Sequence, residues 1–294
     1  MPTENQSAAP VIIEAAINGA TRKETNPNVP KSVEEVADDA LAAIDAGAAI
    51  VHAHCDPFGG PDDEVAERYL ASFRLVWKER PDALLYPTIN VNDGQLSFGH
   101  LRPMAAEGLR VGLLDPGSVN LGSRDGDGLP TGAFVYANSF DRIKEVFALH
   151  DELGLGPSLA IYEPGFLYTT LQYWKTGKLP TGTMVKFYLS TERGLSGAPF
   201  GLPPTRAGLD AYLDLLGDAP IPWAVSVVGG DVGSSEVADV ALERGGHLHL
   251  GLEFYGGERT PTNAELVGEA VARCDKAGRP VATCADAARI LGLP

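Results

Sequence analysis

Residues 50–56 read IVHAHCD, an apolar run that ends on two histidines one residue apart, followed by Cys55 and Asp56. In a β-strand, residues i and i+2 project from the same face, so His52 and His54 would point the same way. That spacing suits either a metal or an ordinary polar strand end, and a third ligand would separate the two readings. Glu253, closing the run HLHLGLE, places a carboxylate at another predicted strand end. Two imidazoles and one carboxylate, with a coordination position left for water or substrate, form a catalytic set for zinc; the same set accommodates other divalent transition metals. His247 and His249 share the face of Glu253 in a regular strand, but His249 would then lie roughly 13 Å from the carboxylate at strand rise. A kink at Gly251 would bring His249 closer, to touch substrate or to back the ligands.

Other polar residues sit where predicted strands end. Thr88 and Asn90 close ALLYPTI, Asp115 with Gly117 and Ser118 follows LRVGLL, and Glu163 closes SLAIYE. Each is also the kind of residue that caps a strand with no further role. Together they would make a polar ring around a metal, with Glu163, Asp115 and Asp56, in that order, as candidate proton acceptors. Arg193, in RGLSGAPFG, could receive a carboxylate or a pantetheine arm, although glycine loops are weak signals. Cys55 is expected to pack.

The elements that must position these groups repeat along the chain. Strands are predicted at 11–17, 49–54, 83–89, 109–114, 158–163, 184–190, 223–228 and 247–253, separated by stretches of helical periodicity. In 33–47, Val33, Val36, Ala37, Ala40, Leu41 and Ile44 line one face and Gly47 supplies the stop. SSEVADVALERGG repeats the pattern with Ser234 or Ser235 as N-cap, and TCADAARILGLP reads as a capped terminal helix. Eight βα units suit a (β/α)8 TIM barrel, whose usual length is about 250 residues, here as a single domain over 1–294 with a loose tail at 1–9. A doubly wound open sheet is the alternative; the NGATRKETNPNVP segment after strand 1 lacks its glycine-rich dinucleotide turn. Long Gly/Pro-rich loops after strands 4 and 6 belong at the C-terminal mouth, where barrel enzymes keep their sites.

Composition narrows the function. A net charge of −16 over 294 residues repels phosphate backbones and anionic membranes, arguing for a small-molecule substrate and against nucleic acid. No signal peptide or membrane-spanning run is present, so a cytoplasmic protein is expected. Cys55, Cys274 and Cys284 are too widely spaced for a disulfide framework.

The segments INGATRKETNPNVPKSVEEVADDALAAIDAGAAIVHAH, LDPGSVNLG, GLSGAPFG, PWAVSVVG, GGHLHLGLE and GRPVATCADAARILGL, in this order, resemble the β-keto acid cleavage enzymes, which include 3-keto-5-aminohexanoate cleavage enzyme. The resemblance runs from about residue 11 to the end. It implies a zinc-dependent (β/α)8 barrel, usually a homotetramer, that converts a β-keto acid and acetyl-CoA to acetoacetate and a new acyl-CoA. It places the metal on His52, His54 and Glu253, a hydroxyl on Thr88, and a strand 4 segment on Gly117, Ser118 and Asn120. The departures are specific. Where the family reads R-x-G-x-E-D-N, this chain has His249, Gly251, Glu253, Phe254 and Tyr255, so the arginine and aspartate of the acid/base step are replaced. Thr21 stands for a glutamate and Leu113 for a threonine, and the arginine that often follows HxH is absent. Phe254 and Tyr255 imply a more apolar, aromatic substrate. Two further readings stay open: a metal-dependent retro-aldol lyase without coenzyme A, and a binding protein on an enzyme scaffold.

Overall fold

The computed structural model describes residues 9–294, and the expected loose tail falls almost wholly outside them. Ala9, its last residue, is tied down, its carbonyl accepting from the guanidinium of the buried Arg279 at 3.1 and 3.2 Å. Eight strands form where apolar runs predict them: β1 (Ile13–Ala16), β2 (Ile50–Ala53), β3 (Leu84–Pro87), β4 (Val111–Leu113), β5 (Gly156–Ile161), β6 (Met184–Ser190), β7 (Trp223–Val228) and β8 (His247–Leu250). They make one parallel sheet in the order β3-β2-β1-β8-β7-β6-β5-β4. β3 and β4 lie against each other at its two edges, so the sheet curls into a (β/α)8 barrel.

A helix follows each strand: α1 (Val33–Ala46), α2 (Asp62–Glu79), α3 (Leu101–Ala106), α4 (Phe140–Leu153), α5 (Pro164–Lys175), α6 (Arg206–Leu216), α7 (Glu236–Glu243) and α8 (Asn263–Lys276), with α9 (Cys284–Leu291) last. Local chemistry sets their ends. Ser32 and Glu35 form a capping box on α1 and Gly47 stops it; Thr283 and Asp286 do the same for α9. Ser235, not Ser234, caps α7, because Ser234 closes a single 3-10 turn. None of the described helices is long and apolar enough to cross a membrane.

The loops after β4 and β6 do gather at the C-terminal mouth. The first carries two short antiparallel ribbons, Ser118–Asn120 with Val135–Ala137 and Ser123–Arg124 with Pro130–Thr131. The last strand differs from expectation: β8 stops at Leu250 rather than at residue 253. Gly251 adopts φ +135°, which L side chains rarely take, and a Cβ there would sit 2.2 Å from the Ala16 carbonyl oxygen. The chain turns at this point, and the Glu253 amide then donates to that same oxygen at 3.1 Å. Glu253 is therefore aimed by a glycine turn and not by strand alternation.

Gly251→Ala is expected to destabilise the fold by about 2–4 kcal/mol, since it combines backbone strain with a clash on main-chain atoms. Urea unfolding measures this, and an unchanged midpoint would show that the turn tolerates a side chain.

Candidate active site

His52, the third residue of β2, and His54, just past its end, point into the barrel mouth beside Glu253. His52 Nε2 is 3.3 Å from one Glu253 oxygen and His54 Nε2 is 3.1 Å from the other. One ligand atom from each residue lies within 4.8 Å of the other two. Second contacts fix the imidazoles. His52 Nδ1 lies 3.3 Å from the Tyr86 carbonyl, which can only accept a hydrogen bond, so Nδ1 carries the proton and Nε2 keeps its lone pair; the Tyr86 ring stacks on the imidazole at 4.4 Å. Asn18 clamps the His54 backbone on both sides, accepting from its amide at 2.8 Å and donating to its carbonyl at 3.0 Å.

Burial drives the His52 imidazole down to about 3, so it is neutral at pH 7. For Glu253, burial alone would raise the carboxyl, but the facing His54, which also offers it a hydrogen bond, leads the contacts that bring it down to about 2. A neutral imidazole and an ionised carboxylate are the protonation states a metal needs. His54 Nε2 and Glu253 Oε2 are buried without a hydrogen-bond partner in proper geometry. Three converging acceptors with unspent lone pairs fit a divalent ion better than they fit one another. Thr21, which stands where the resemblance has a glutamate, donates its hydroxyl to the Leu252 carbonyl at 2.8 Å and so staples the segment that carries Glu253.

Above the three residues opens a cavity of about 460 Å³ whose wall is mostly apolar: Phe58, Ile89, Leu121, Phe134, Tyr136, Tyr162, Leu195 and Phe254. Leu121 and Phe134 come from the loop after β4 and Leu195 from the loop after β6. The sequence-derived candidates divide into two groups here. Thr88, Asp115, Asp56 and Phe254 line the cavity with His54 and Glu253, Asp56 at its exposed rim.

The others are turned elsewhere. Asn90 donates to Gly60 and Asp62; Ser118 pairs with Asn138 across a ribbon; Asn120 lies exposed on the same ribbon; Gly117 packs on Phe166. Glu163 caps the start of α5 and accepts from the Gly201 amide at 3.0 Å, away from the cavity. Tyr255 packs near Gly230 on the far side of the turn. His249 is fully buried below, 3.3 Å from Glu14 and stacked against Tyr188, because β8 ends before its face can reach the mouth. Arg193 donates to the Gly256 carbonyl at 2.6 Å and does not enter the cavity. Cys274 and Cys284 are core residues, and Cys55 is half-buried at the cavity edge.

Sequence reasoning overlooked Asn18, Tyr86, Glu14 and Lys186. Glu14 and Lys186 carried a signal: each is a lone charge in the middle of an otherwise apolar strand, and a buried charge must be paired. Lys186 Nζ donates to Glu14 at 3.1 Å and to the Tyr86 hydroxyl at 2.6 Å, and Tyr86 in turn donates to Glu14.

Burial raises the Asp115 carboxyl to about 6, against the hydrogen bonds it accepts from the Tyr136 hydroxyl (2.7 Å) and the Ala160 amide (3.1 Å). A raised carboxyl pKa means the native state binds the proton more tightly, so stability falls as pH rises from about 4 to about 6. In metal-free protein, Asp115→Asn should remove that fall and stand on the order of 2–3 kcal/mol above wild type at pH 8 relative to pH 4. Asp39, also raised to about 6, is common to both proteins and cancels. Parallel urea titrations across pH read this out; identical profiles would mean that Asp115 is not held protonated by burial.

Residues 10–293 match the beta-keto acid cleavage enzyme family. The 3-keto-5-aminohexanoate cleavage enzyme of Acetoanaerobium sticklandii is 28% identical over 288 residues, covering 96% of this chain and 98% of that protein. The 3-oxoadipate:acetyl-CoA acetyltransferase of Cupriavidus necator is 29% identical over 296 residues, covering 97% and 95%. Among solved structures, apo ObcA superposes with a TM-score of 0.66 at 16% identity, over 91% of this chain and 66% of that one, a likeness of fold. With the match running through all eight βα units and the divergent β8 turn alike, this chain belongs to the beta-keto acid cleavage enzyme family.

Proposed function

We propose that this protein is a zinc-dependent β-keto acid cleavage enzyme that uses acetyl-CoA, releases acetoacetate and a new acyl-CoA, and prefers a substrate with an apolar or aromatic side chain. The observation that carries the reading is the convergence of His52, His54 and Glu253, the last two lining a cavity walled by aromatic and aliphatic side chains. In the overall exchange the substrate's acyl–carboxymethyl C–C bond breaks, a C–C bond forms between the carboxymethyl carbon and the acetyl group, and the thiolate passes to the departing acyl group. An ion held by His52, His54 and Glu253 would supply Lewis acidity toward a carbonyl oxygen.

The chain's own residues do the rest. Asp115, close to neutrality in its titration and lining the cavity, is the base that takes a proton from the carbon between the two carbonyls. It takes the place of the strand 8 aspartate that Phe254 has replaced. Thr88 offers a hydroxyl in the same cavity, and Phe254, Tyr162 and Leu121 exclude water and contact the substrate's apolar end. The acetyl-CoA named for the Cupriavidus relative supports the thioester partner. Assembly as a homotetramer enters this reading through the family resemblance alone.

One observation favours a second reading. With Phe254 where the family places an acid, the residues present also suit a retro-aldol-type cleavage that needs no coenzyme A.

Elemental analysis should find about one zinc per chain in wild type and loss of most of it in His54→Ala and in Glu253→Ala. Benzoylacetate should be consumed only when acetyl-CoA is present, and Asp115→Asn should lower kcat by about 100-fold or more. Consumption without acetyl-CoA would select the lyase reading, and zinc retained in both variants would remove the ligand assignment.

A further inference from the structure

Beside His52 and Glu253, next to the main cavity, lies a smaller one of about 40 Å³. The two share Thr88, Asp115, Tyr162, Glu253 and Phe254 in their walls, so the small chamber adjoins the large one on its inner side. Its far wall holds Lys186, whose side chain is 4% exposed. Two of the three ammonium protons are directed at Glu14 and the Tyr86 hydroxyl. The third has no protein partner among the described residues. Ser158 Oγ, buried in the same wall, also has none.

We propose that this inner chamber is a carboxylate-binding subsite and that Lys186 is its cation. The inference rests on the β-keto acid reading and adds an orientation to it, with the substrate's carboxylate inward and its acyl side chain outward among the aromatics. Three observations argue for it. The volume suits the ligand: at about 10–15 Å³ per water-sized group, the chamber takes roughly three such groups, a carboxylate but not an acyl chain. The charge suits it as well. Lys186 is the one lysine or arginine lining the chamber, while the carboxylates in its wall are turned to other partners, Asp115 to Tyr136 and Ala160 and Glu253 to the two histidines. Finally, the cation is anchored. Glu14 and Tyr86 hold the ammonium from below, so a bound carboxylate meets a charge already desolvated and oriented.

Lys186 also differs from a merely structural lysine in what its loss should change. Calorimetric titration of the zinc-supplemented protein with benzoylacetate, and with acetophenone as the same ketone without a carboxylate, isolates the carboxylate's contribution. Wild type should prefer benzoylacetate by about tenfold to a hundredfold, the worth of a charged hydrogen bond. In Lys186→Met that preference should collapse while acetophenone affinity and zinc content stay unchanged. The double variant Glu14→Gln/Lys186→Met removes both buried charges, leaves no orphan, and answers the same question if the single variant folds poorly.

A preference that survives in the folded variants, or none in wild type, would overturn the subsite. If the preference depends on Lys186 but wild type cleaves no β-keto acid, the subsite stands and the proposed reaction falls. If wild type cleaves benzoylacetate and the variants keep their carboxylate preference, the reaction stands and the subsite falls.

Discussion

Everything at the site depends on the hydrogen-bonded seam between the first and last strands of the barrel. β1 pairs with β8 on one side and with β2 on the other, in parallel register from Ile13 opposite Leu248 to Ala16 opposite His52. This seam brings His52 and His54 to within bonding distance of Glu253, although about 200 residues of chain separate them. The carbonyl of Ala16 is the hinge point: it accepts from the Glu253 amide and leaves no room for a side chain at residue 251. Closing the barrel and assembling the three acceptors are thus one event. Parallel pairing between strands this far apart in sequence costs loop-closure entropy before its contacts form.

Beneath the seam the barrel interior is not the stack of branched aliphatics usual for this fold. Glu14, Lys186 and His249 occupy inward positions on β1, β6 and β8, with Ser158 and Ser226 nearby, all buried. Desolvating an ion pair costs about as much as, or more than, its attraction returns, so such a pair is weak evidence of stabilisation. Glu14 leaves one oxygen, and His249 both ring nitrogens, without partners. A barrel selected only for stability would fill these positions with leucine and valine. The arrangement makes sense if the pair has a task, and its upper member, Lys186, faces the inner chamber while Glu14 sits below it. Tyr86 connects the two levels, with its hydroxyl in the ion pair and its ring against His52.

Period and punctuation made the strands, the helices and their caps legible in the sequence, because side-chain alternation and capping chemistry act over a few residues. Residues within a strand were placed well for the same reason. Beyond the last residue of a strand the alternation rule lapses. Asn90, Ser118, Asn120, Glu163 and Tyr255 all follow predicted strand ends, and none lines the cavity: Asn90, Ser118 and Glu163 are held by partners that no pattern announces, Asn120 is exposed, and Tyr255 packs beside Gly230. Glu253 follows a strand end too, yet reaches the site because a glycine turn redirects it. Its place beside the histidines was read from its position at a predicted strand end and from the family resemblance, while its actual support, the Ala16 carbonyl and the Thr21 staple, was not visible in the sequence. Glu14 and Lys186 were legible in principle, as charges embedded in apolar strands.

The replacement of the family's strand 8 aspartate by Phe254 has a physical counterpart elsewhere in the cavity. Phe254 is buried against Tyr188 and His249 and forms part of the wall of both cavities, so the position that elsewhere holds a charge here excludes water. Excluding water from that wall raises the cost of any carboxylate left nearby, and Asp115, at the end of β4, is the carboxyl that shows it, with a proton affinity lifted toward neutrality. The apolar side chain at 254 removes one proton acceptor from the wall, and Asp115, which lines the same cavities, has its own proton affinity raised by burial. Leu113, where the resemblance has a threonine, dries the same region from the β4 side. Leu113 and Phe254 line the same small cavity as Asp115, so the departures at β4 and at β8 both remove polar side chains from the surroundings of one buried carboxyl.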